Sequence, residues 1–420
     1  MIRSLFHIFI SLLFLVGFTY PALNYYFDAQ VFSVDNPDIA SNYFGYTSAI
    51  SGDGTRVAIG HYSDNTVKIY KRTGEAWTYE TTIGSPNYLS TGRFGYAISL
   101  DSTGTYLVIG APYETDGSTF AGRAYVYLRT GTAWALQYTY KSPTRTKASA
   151  YYGSCVDLSS DGLYAVIGSV FGNGGGITNA GHADIFLRSG VNWAHQTELI
   201  SAAGESSGSF GEGCALDSTG ATVAIGAWRE EGGAVDAGKA YVFTRSGTAW
   251  TERSVFTSST PTASGRFGRG IDISADGSHV IVSAPYETFS GGTNAGNVYL
   301  FKATSATSWS LLRAFTPGDA TQSTMTNYTS GYFGSSVNIS GDDSLIVIGS
   351  TGAGTIYPIL GDGTTYRLKN HRLATYRGST FPGWQSGENL SSDGQYFVGG
   401  AYTATVSGTA NAGVVYILKN

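Results

Sequence analysis

The chain repeats itself, and that constrains it more than any other feature. An aromatic residue followed by glycine opens each copy: Phe44-Gly45, Phe94-Gly95, Tyr152-Gly153, Phe210-Gly211, Phe267-Gly268 and Phe333-Gly334. A seventh copy is reduced to Phe381-Pro382-Gly383-Trp384. The copies are spaced by about 48 to 66 residues, the length of a four-stranded propeller blade. A chain of 420 residues would otherwise suggest several domains. The repeat replaces that reading with one ring. We therefore expect an all-β fold, a seven-bladed β-propeller of four-stranded antiparallel blades. The blades start near residues 44, 94, 152, 210, 267, 333 and 381.

Each copy keeps the same internal order. A short strand such as Tyr96 to Leu100 follows the aromatic-glycine pair. A tight turn comes next, as in Gly52-Asp53-Gly54, Ser160-Asp161-Gly162, Ala275-Asp276-Gly277 and Ser392-Asp393-Gly394; the second and fourth copies use Thr103-Gly104 and Thr219-Gly220, and the sixth uses Asp342-Asp343. Glycine supplies the positive φ of such a turn and aspartate bonds its own backbone. A β-branched run then ends in a small residue, as in Val57-Ala58-Ile59-Gly60 and Val223-Ala224-Ile225-Gly226. After a variable loop, Ala-Gly introduces a third strand, for example Ala121-Gly122 before Ala124-Tyr125-Val126-Tyr127. The fourth strand begins at Trp77, Trp134, Trp193, Trp250 or Trp309, a position suited to packing between blades.

The last copy stops after its third strand, Val415-Tyr416-Ile417-Leu418. Its fourth strand is expected from the other end of the chain. Phe27-Asp28-Ala29-Gln30 is similar to Trp134-Ala135-Leu136-Gln137, and lies nearly the same distance before the next aromatic-glycine pair. Residues 24–33 should complete blade seven, and closure removes exposed sheet edges. Ahead of this strand, Arg3 and the apolar run Leu5 to Phe18 read as a signal peptide over residues 1–22, leaving 23–420 as the propeller. The run is shorter than the ~20 residues a membrane helix needs, and no second one follows. The chain is expected to be secreted or held at the cell surface, without an integral span after signal removal.

Composition narrows the function. Glycine is 57 of 420 residues, tyrosine 30, and charged residues only 13%, as expected of turn-rich β-structure. The formal net charge is −5 and no basic stripe is present, which speaks against nucleic acid. The six histidines, His7, His61, His182, His195, His279 and His371, show no metal-ligand spacing, so no metal site and no cofactor is expected, although distant residues can converge in a ring. Gly204-Glu205-Ser206-Ser207-Gly208 matches a nucleophile-elbow pattern but has no strand-turn-helix setting, and no catalytic residue is assigned. Cys155 and Cys214 fall on the first strands of blades three and four, offset by one position. Strand parity permits a disulfide but does not fix the distance, so a bridge and two buried thiols both remain open.

Taken together, the copies resemble the FG-GAP repeat family, related to the propeller repeats of integrin α subunits. The best copy runs from Phe94-Gly95 through Gly110-Ala111-Pro112 to Ala121-Gly122 and Trp134. The resemblance implies an extracellular interaction or adhesion domain. Integrin-like members often carry a calcium loop after the first strand. Here Asp157-x-Ser159-x-Asp161-Gly162 and Asp272-x-Ser274-x-Asp276-Gly277 come nearest, but the last ligand position falls on Ala165 and Val280. Calcium takes 6–8 oxygens, so plain hairpin turns are expected.

The loops after the second and fourth strands emerge on one face and are the longer ones: 111–121, 169–180, 200–209, 227–237, 284–295 and 314–332. Loops on a rigid scaffold commonly carry function. They bring Tyr113, Glu114, Trp228, Glu230, Tyr286 and Glu287 to one rim, with Tyr62, Phe171 and Tyr402 in similar places. Aromatic faces beside carboxylates suit a glycan or a peptide; the same aromatics could instead wedge the blades. An extracellular glycan or protein is the expected partner, and a binding or adhesion propeller rather than an enzyme the expected function. A glycosidase or lyase drawing acids from Glu114, Glu230 and Glu287, and a structural coat component, are the alternatives. Among the sequons, Asn338 and Asn389 fall on innermost strands, and Asn327, in a long loop, is the accessible acceptor.

Overall fold

The structure, a computed structural model, describes residues 32–35, 43–87, 89, 91–142, 147–320, 329–368, 375–376, 379–380, 386–402 and 413–419. Seven four-stranded antiparallel sheets form the ring. Blade 1 runs outward from Ser48–Ile50 through Arg56–His61 and Thr66–Thr73 to Ala76–Gly84. The innermost strands of the later blades are Ala97–Leu100, Tyr152–Leu158, Phe210–Leu216, Ile271–Ile273, Phe333–Ile339 and Ser386–Leu390. Phe381–Trp384, the reduced seventh copy, lies outside the described residues.

Ring closure takes place as expected, by an N-terminal strand that completes blade 7. Blade 7 holds Ser386–Leu390, Tyr396–Ala401 and Val414–Lys419, and Phe32–Asp35 is its outermost strand. Phe32 lies opposite Ile417, and Asp35 opposite Val414. Only Phe32 and Ser33 belong to the stretch expected from the sequence; residues 24–31, like the signal segment, lie outside the described residues. A short hairpin, Thr375–Tyr376 with Ser379–Thr380, is interposed between blades 6 and 7.

Second strands are buried at every position but Tyr106 in all seven blades, because both faces meet a neighbouring blade. That explains their unbroken runs of small and β-branched residues. Their terminal glycine has a steric cause: a Cβ on Gly168 would lie 2.1 Å from the carbonyl oxygen of Gly211 in the next blade. The aromatic of each described aromatic-glycine pair is buried, between 0% and 2% exposed. In four of them its N–H reaches back to the Ala-Gly motif of the preceding blade: Tyr152 to Ala121 (2.9 Å), Phe210 to Ala180 (2.8 Å), Phe267 to Ala237 (2.7 Å) and Phe333 to Ala295 (2.9 Å), while that of Phe94 donates to Asn65 Oδ1 (3.0 Å). The two most regular motifs are therefore two halves of one stitch between blades.

The opposite face is held by a second repeated device. Arg188 donates from Nε to the Gly162 carbonyl (2.7 Å) and from Nη1 to the Gly190 carbonyl (3.0 Å), tying both hairpin turns of blade 3 together. Its guanidinium lies 4.2 Å from the ring centre of Tyr106 in blade 2. Arg72, Arg129 and Arg245 make the same pair of bonds in their own blades. The tryptophans pack where the sequence put them: Trp193 lies edge-on to Tyr106, and Trp77 to Tyr396, both across blade boundaries.

In the turns themselves, Asp161 accepts from Ser159 Oγ (2.6 Å) and Leu163 N (2.9 Å), and Asp276 accepts from Ser274 Oγ (2.7 Å) and Ser278 N (2.8 Å). In blade 6, Asp343 takes the left-handed position that glycine holds elsewhere, with φ of 61°. Asp157 and Asp272 serve the central channel instead. Asp157 accepts from Leu216 N of blade 4 (2.8 Å) and from Ser99 Oγ of blade 2 (2.7 Å), and Asp272 accepts from Ile339 N of blade 6 (2.9 Å). Innermost strands have no ladder partner on the channel side, so these side chains satisfy backbone donors that would otherwise be orphaned. Burial pushes the Asp157 carboxyl up to about 6 and, helped by the Asp157 charge, that of Asp272 up to about 7. Cys155 and Cys214 are joined by a disulfide, with their Cα atoms 6.1 Å apart, linking the innermost strands of blades 3 and 4.

Candidate functional site: an aromatic and arginine crown

The long-loop face converges on the mouth of the channel through three positions of the repeat. The residue before each aromatic-glycine pair is Tyr43, Arg93, Tyr151, Ser209, Arg266 or Tyr332. All six have a left-handed backbone, with φ between 50° and 60°, a conformation that costs a residue with a side chain about 1 kcal/mol or more. The residue after each pair is Tyr46, Tyr96, Ser154, Glu212, Arg269 or Ser335. The third position, just past the second strand, holds Tyr62, Tyr113, Phe171, Trp228, Tyr286, Thr351 and Tyr402.

These side chains form an almost continuous crown. Tyr46 contacts Tyr402, Tyr62 and Tyr96, with ring centres 5.3, 4.6 and 5.4 Å apart. Arg93 lies 3.9 Å over Tyr113, which meets Tyr151 at 4.8 Å, and Tyr151 meets Phe171 at 5.7 Å. Arg229 bridges Phe171 and Trp228, and Arg266 bridges Trp228 (4.6 Å) and Tyr286 (4.1 Å). Tyr286 then contacts Tyr332 at 5.2 Å.

The crown breaks between Tyr332 and Tyr402. Blade 6 has Thr351 where its six neighbours have an aromatic, and Ser335 below it is small. The missing ring leaves a cavity of about 250 Å³, lined by Arg269, Pro285, Tyr286, Tyr332, Ser335, Thr351 and Tyr402. Three arginines, Arg229, Arg266 and Arg269, surround the half-buried Glu212. Burial raises the Glu212 carboxyl while the three guanidiniums pull it down. With one carboxylate among three guanidiniums, the mouth is locally cationic in a chain of net charge −5.

The structure corrects the expected site at four of its six residues. Glu114, Glu230 and Glu287 are 0% exposed. Each accepts the hydroxyl of a third-strand tyrosine: Glu114 from Tyr125, Glu230 from Tyr241, and Glu287 from Tyr299 at 2.6 Å. Ser85 and Asn87 also donate to Glu114, Lys239 pairs with Glu230 at 3.4 Å, and Asn297 donates to Glu287 at 2.8 Å. Each buried tyrosine hydroxyl finds its acceptor in the loop carboxyl, which therefore turns inward. They lie in separate blades, each turned into the interior of its own blade. Trp228 is 8% exposed and is covered by Arg229 and Arg266, so it positions guanidiniums rather than offering a free face. Tyr113 and Tyr286 are half-exposed in the crown.

Arg93, Arg266 and Arg269 join the crown beyond the residues expected from the sequence. Their signal was the pair of residues flanking each aromatic-glycine motif, which vary in type while the motif itself stays constant. Asn338 is buried and Asn389 half-buried on innermost strands; Asn327 lies outside the described residues. Among the described residues no helix is long and apolar enough to cross a membrane.

Comparison with known proteins agrees with this architecture. A family model described as FG-GAP repeat matches residues 77–127, 193–243 and 250–301, three segments that each begin at a fourth-strand tryptophan and end in the next blade's third strand. No curated protein matches the chain. Among solved structures, Kuenenia stuttgartiensis hydrazine synthase is similar with a TM-score of 0.58 at 13% identity, over 90% of this chain and 95% of that one. At that identity the likeness concerns the fold alone. The chain thus carries FG-GAP repeats, folded as a seven-bladed β-propeller.

Proposed function

We propose that this propeller is a secreted or cell-surface binding module that captures a glycan or protein ligand on its long-loop face, without turnover. The observation that carries the reading is the break in the crown. One blade omits the aromatic that the other six supply, and a cavity results beside Arg269. Tyrosine faces stack on sugar rings or peptide side chains, and a half-buried guanidinium selects an acidic group by charge-assisted hydrogen bonds. The preferred ligand is therefore an acidic glycan or an acidic peptide segment. Left-handed residues around the mouth support the same reading, because strain held by a rigid scaffold is characteristic of sites that present side chains.

The test is a glycan and extracellular-matrix array probed with the chain from residue 23 onward. Arg269→Ala removes the charge, and Thr351→Tyr restores the aromatic found in the other blades. Saturable binding to acidic members, lost in both variants, supports the proposal. Equal binding by Thr351→Tyr and the parent chain rules out the cavity as the site.

A further inference from the structure

Blade 3 departs from its neighbours at one cluster of positions. In blades 2, 4 and 5 a loop glutamate accepts a third-strand tyrosine, Tyr125, Tyr241 or Tyr299, with Arg123, Lys239 or Asn297 two residues earlier on that strand. In blade 3 the loop has Gly172 at the glutamate position, the tyrosine is replaced by Asp184, and the residue two earlier is His182. Opposite Asp184 on the outermost strand stands Glu198, where blades 2, 4 and 5 have Thr139, Val255 and Ala314. A bulge in the same pairing brings His195 onto that face.

The result is a compact set of nitrogen and oxygen donors. One ligand atom each from His182, Asp184 and Glu198 lie within 4.8 Å of one another. His182 Nε2 is 3.9 Å from Asp184 Oδ2, with Ser142 Oγ at 3.3 Å from the same nitrogen. His182 and Asp184 are 0% exposed. His195 Nε2 bonds Asp184 Oδ1 at 2.9 Å and so fixes that carboxylate, while Asp184 Oδ2 makes no hydrogen bond. The Tyr152 hydroxyl is buried beside Asp184; burial first, and then the Asp184 carboxylate, raise its pKa. A fully buried carboxylate oxygen is costly to leave without a donor.

We propose that this cluster binds a zinc-type divalent cation through His182, Asp184 and Glu198, with His195 as the residue that positions Asp184. A tetrahedral zinc ion with bonds of about 2.0–2.1 Å places its ligands about 3.3 Å apart. The His182–Asp184 pair needs to close by only about 0.5 Å to reach that spacing. Mixed imidazole and carboxylate donors match zinc better than calcium, which takes oxygens only. A histidine bonded to the outer oxygen of a ligating carboxylate is an orienting contact of the kind metal sites commonly carry. The ion would neutralise the buried carboxylates at the boundary between blades 2 and 3, independently of any ligand at the crown.

The experiment is isothermal titration of the chelator-stripped full chain with ZnCl2, paired with thermal melts in zinc and in EDTA. Cobalt substitution provides a spectroscopic readout of the coordination geometry. The expected result is one zinc per chain, a higher melting temperature in zinc, and tetrahedral cobalt absorption. His182→Ala and Glu198→Gln should each weaken zinc binding at least a hundredfold while melting cooperatively in EDTA. His195→Ala should weaken it tenfold to a hundredfold, and His195→Gln, which can still donate to Asp184, should recover most of it. His279→Ala, at a separate acidic cluster in blade 5, should bind like the parent. Absence of stoichiometric zinc binding by the parent chain overturns the proposal. So does binding unchanged in Glu198→Gln, or lost in His279→Ala instead.

Discussion

Glu287→Ala distinguishes the interior role of the loop glutamates from the surface role their sequence position suggested. The Glu287 carboxylate is fully buried and accepts hydrogen bonds from Tyr299 Oη (2.6 Å) and Asn297 Nδ2 (2.8 Å). Tyr299 keeps a second partner in Ser258 Oγ at 2.8 Å, but Asn297 Nδ2 loses its acceptor. Stranding buried donors costs about 1–3 kcal/mol for each group fully orphaned. Deleting the one methylene that alanine lacks, Cγ, which packs on Gly265, adds about 0.8 kcal/mol. Relief of the burial that raises the Glu287 pKa offsets part of this. The net loss is about 2–4 kcal/mol. An unfolding entropy of about 2.1 cal/mol/K per residue over 420 residues is about 0.9 kcal/mol/K. If the ring melts as one unit, the midpoint falls by about 2–4 °C. Calorimetry of parent, Glu287→Ala and Glu287→Gln at pH 7 measures this, with Glu287→Gln losing about half as much because one acceptor oxygen remains. A Glu287→Ala melt within about 1 °C of the parent would refute the reasoning, since a stranded buried donor cannot be that cheap.

Other perturbations test separate parts of the scaffold. Replacing both Cys155 and Cys214 by alanine opens a loop of sequence separation 59, and the chain-entropy relation gives a loss of about 4 kcal/mol, read as a lower urea midpoint that reducing agent reproduces in the parent. Asp157 and Asp272 hold their protons more tightly folded than unfolded, so their contribution is fully present below about pH 4 and is lost as pH rises through about 6 to 7. The melting temperature should accordingly fall between pH 5 and pH 8, and Asp272→Asn, which keeps an acceptor for Ile339 N, should flatten that slope; an unchanged slope would assign it to other groups. Arg188→Ala removes two charge-assisted bonds between hairpin turns and should cost about 2 kcal/mol, with Arg188→Lys recovering less than half because one ammonium cannot span both carbonyls. Gly168→Ala sets a Cβ against the Gly211 carbonyl and should cost about 3 kcal/mol or more, whereas Gly190→Ala, in open space with φ of 61°, should cost only the backbone strain of about 1–2 kcal/mol. Equal melting of these two glycine variants would contradict the close approach of blades 3 and 4.

The architecture was legible because it rests on local rules repeated seven times. Turn glycines, β-branched second strands and inter-blade tryptophans recur at fixed offsets, and one noisy copy is corrected by the others. The closing strand was legible in kind, since a missing fourth strand at one end demands a donor at the other. Its place at Phe32–Asp35 was set by pairing with Val414–Lys419, which the comparison with Trp134 did not register. The candidate site was legible as a face and misread as residues. Glu114, Glu230 and Glu287 were chosen as polar groups in exposed loops, but a carboxylate can turn inward when a buried tyrosine needs an acceptor. That tyrosine lies ten or more residues away on another strand, and a linear reading does not connect the two.

By itself the sequence determined the repeat, the number of blades, the order of strands within each, and the face on which the long loops emerge. These follow from backbone conformation and hydrophobic period, which are properties of short segments. Only the tertiary structure decided which side chains meet across blades: the arginines that interleave the crown, the cavity left by Thr351, the Cys155–Cys214 bridge, and the gathering of His182, Asp184, His195 and Glu198 on one face of blade 3. The physical reason is that ring closure brings together residues separated by a whole repeat or more, and a β-bulge can change which face a side chain occupies. Neither distance nor bulge is written in the period of the sequence.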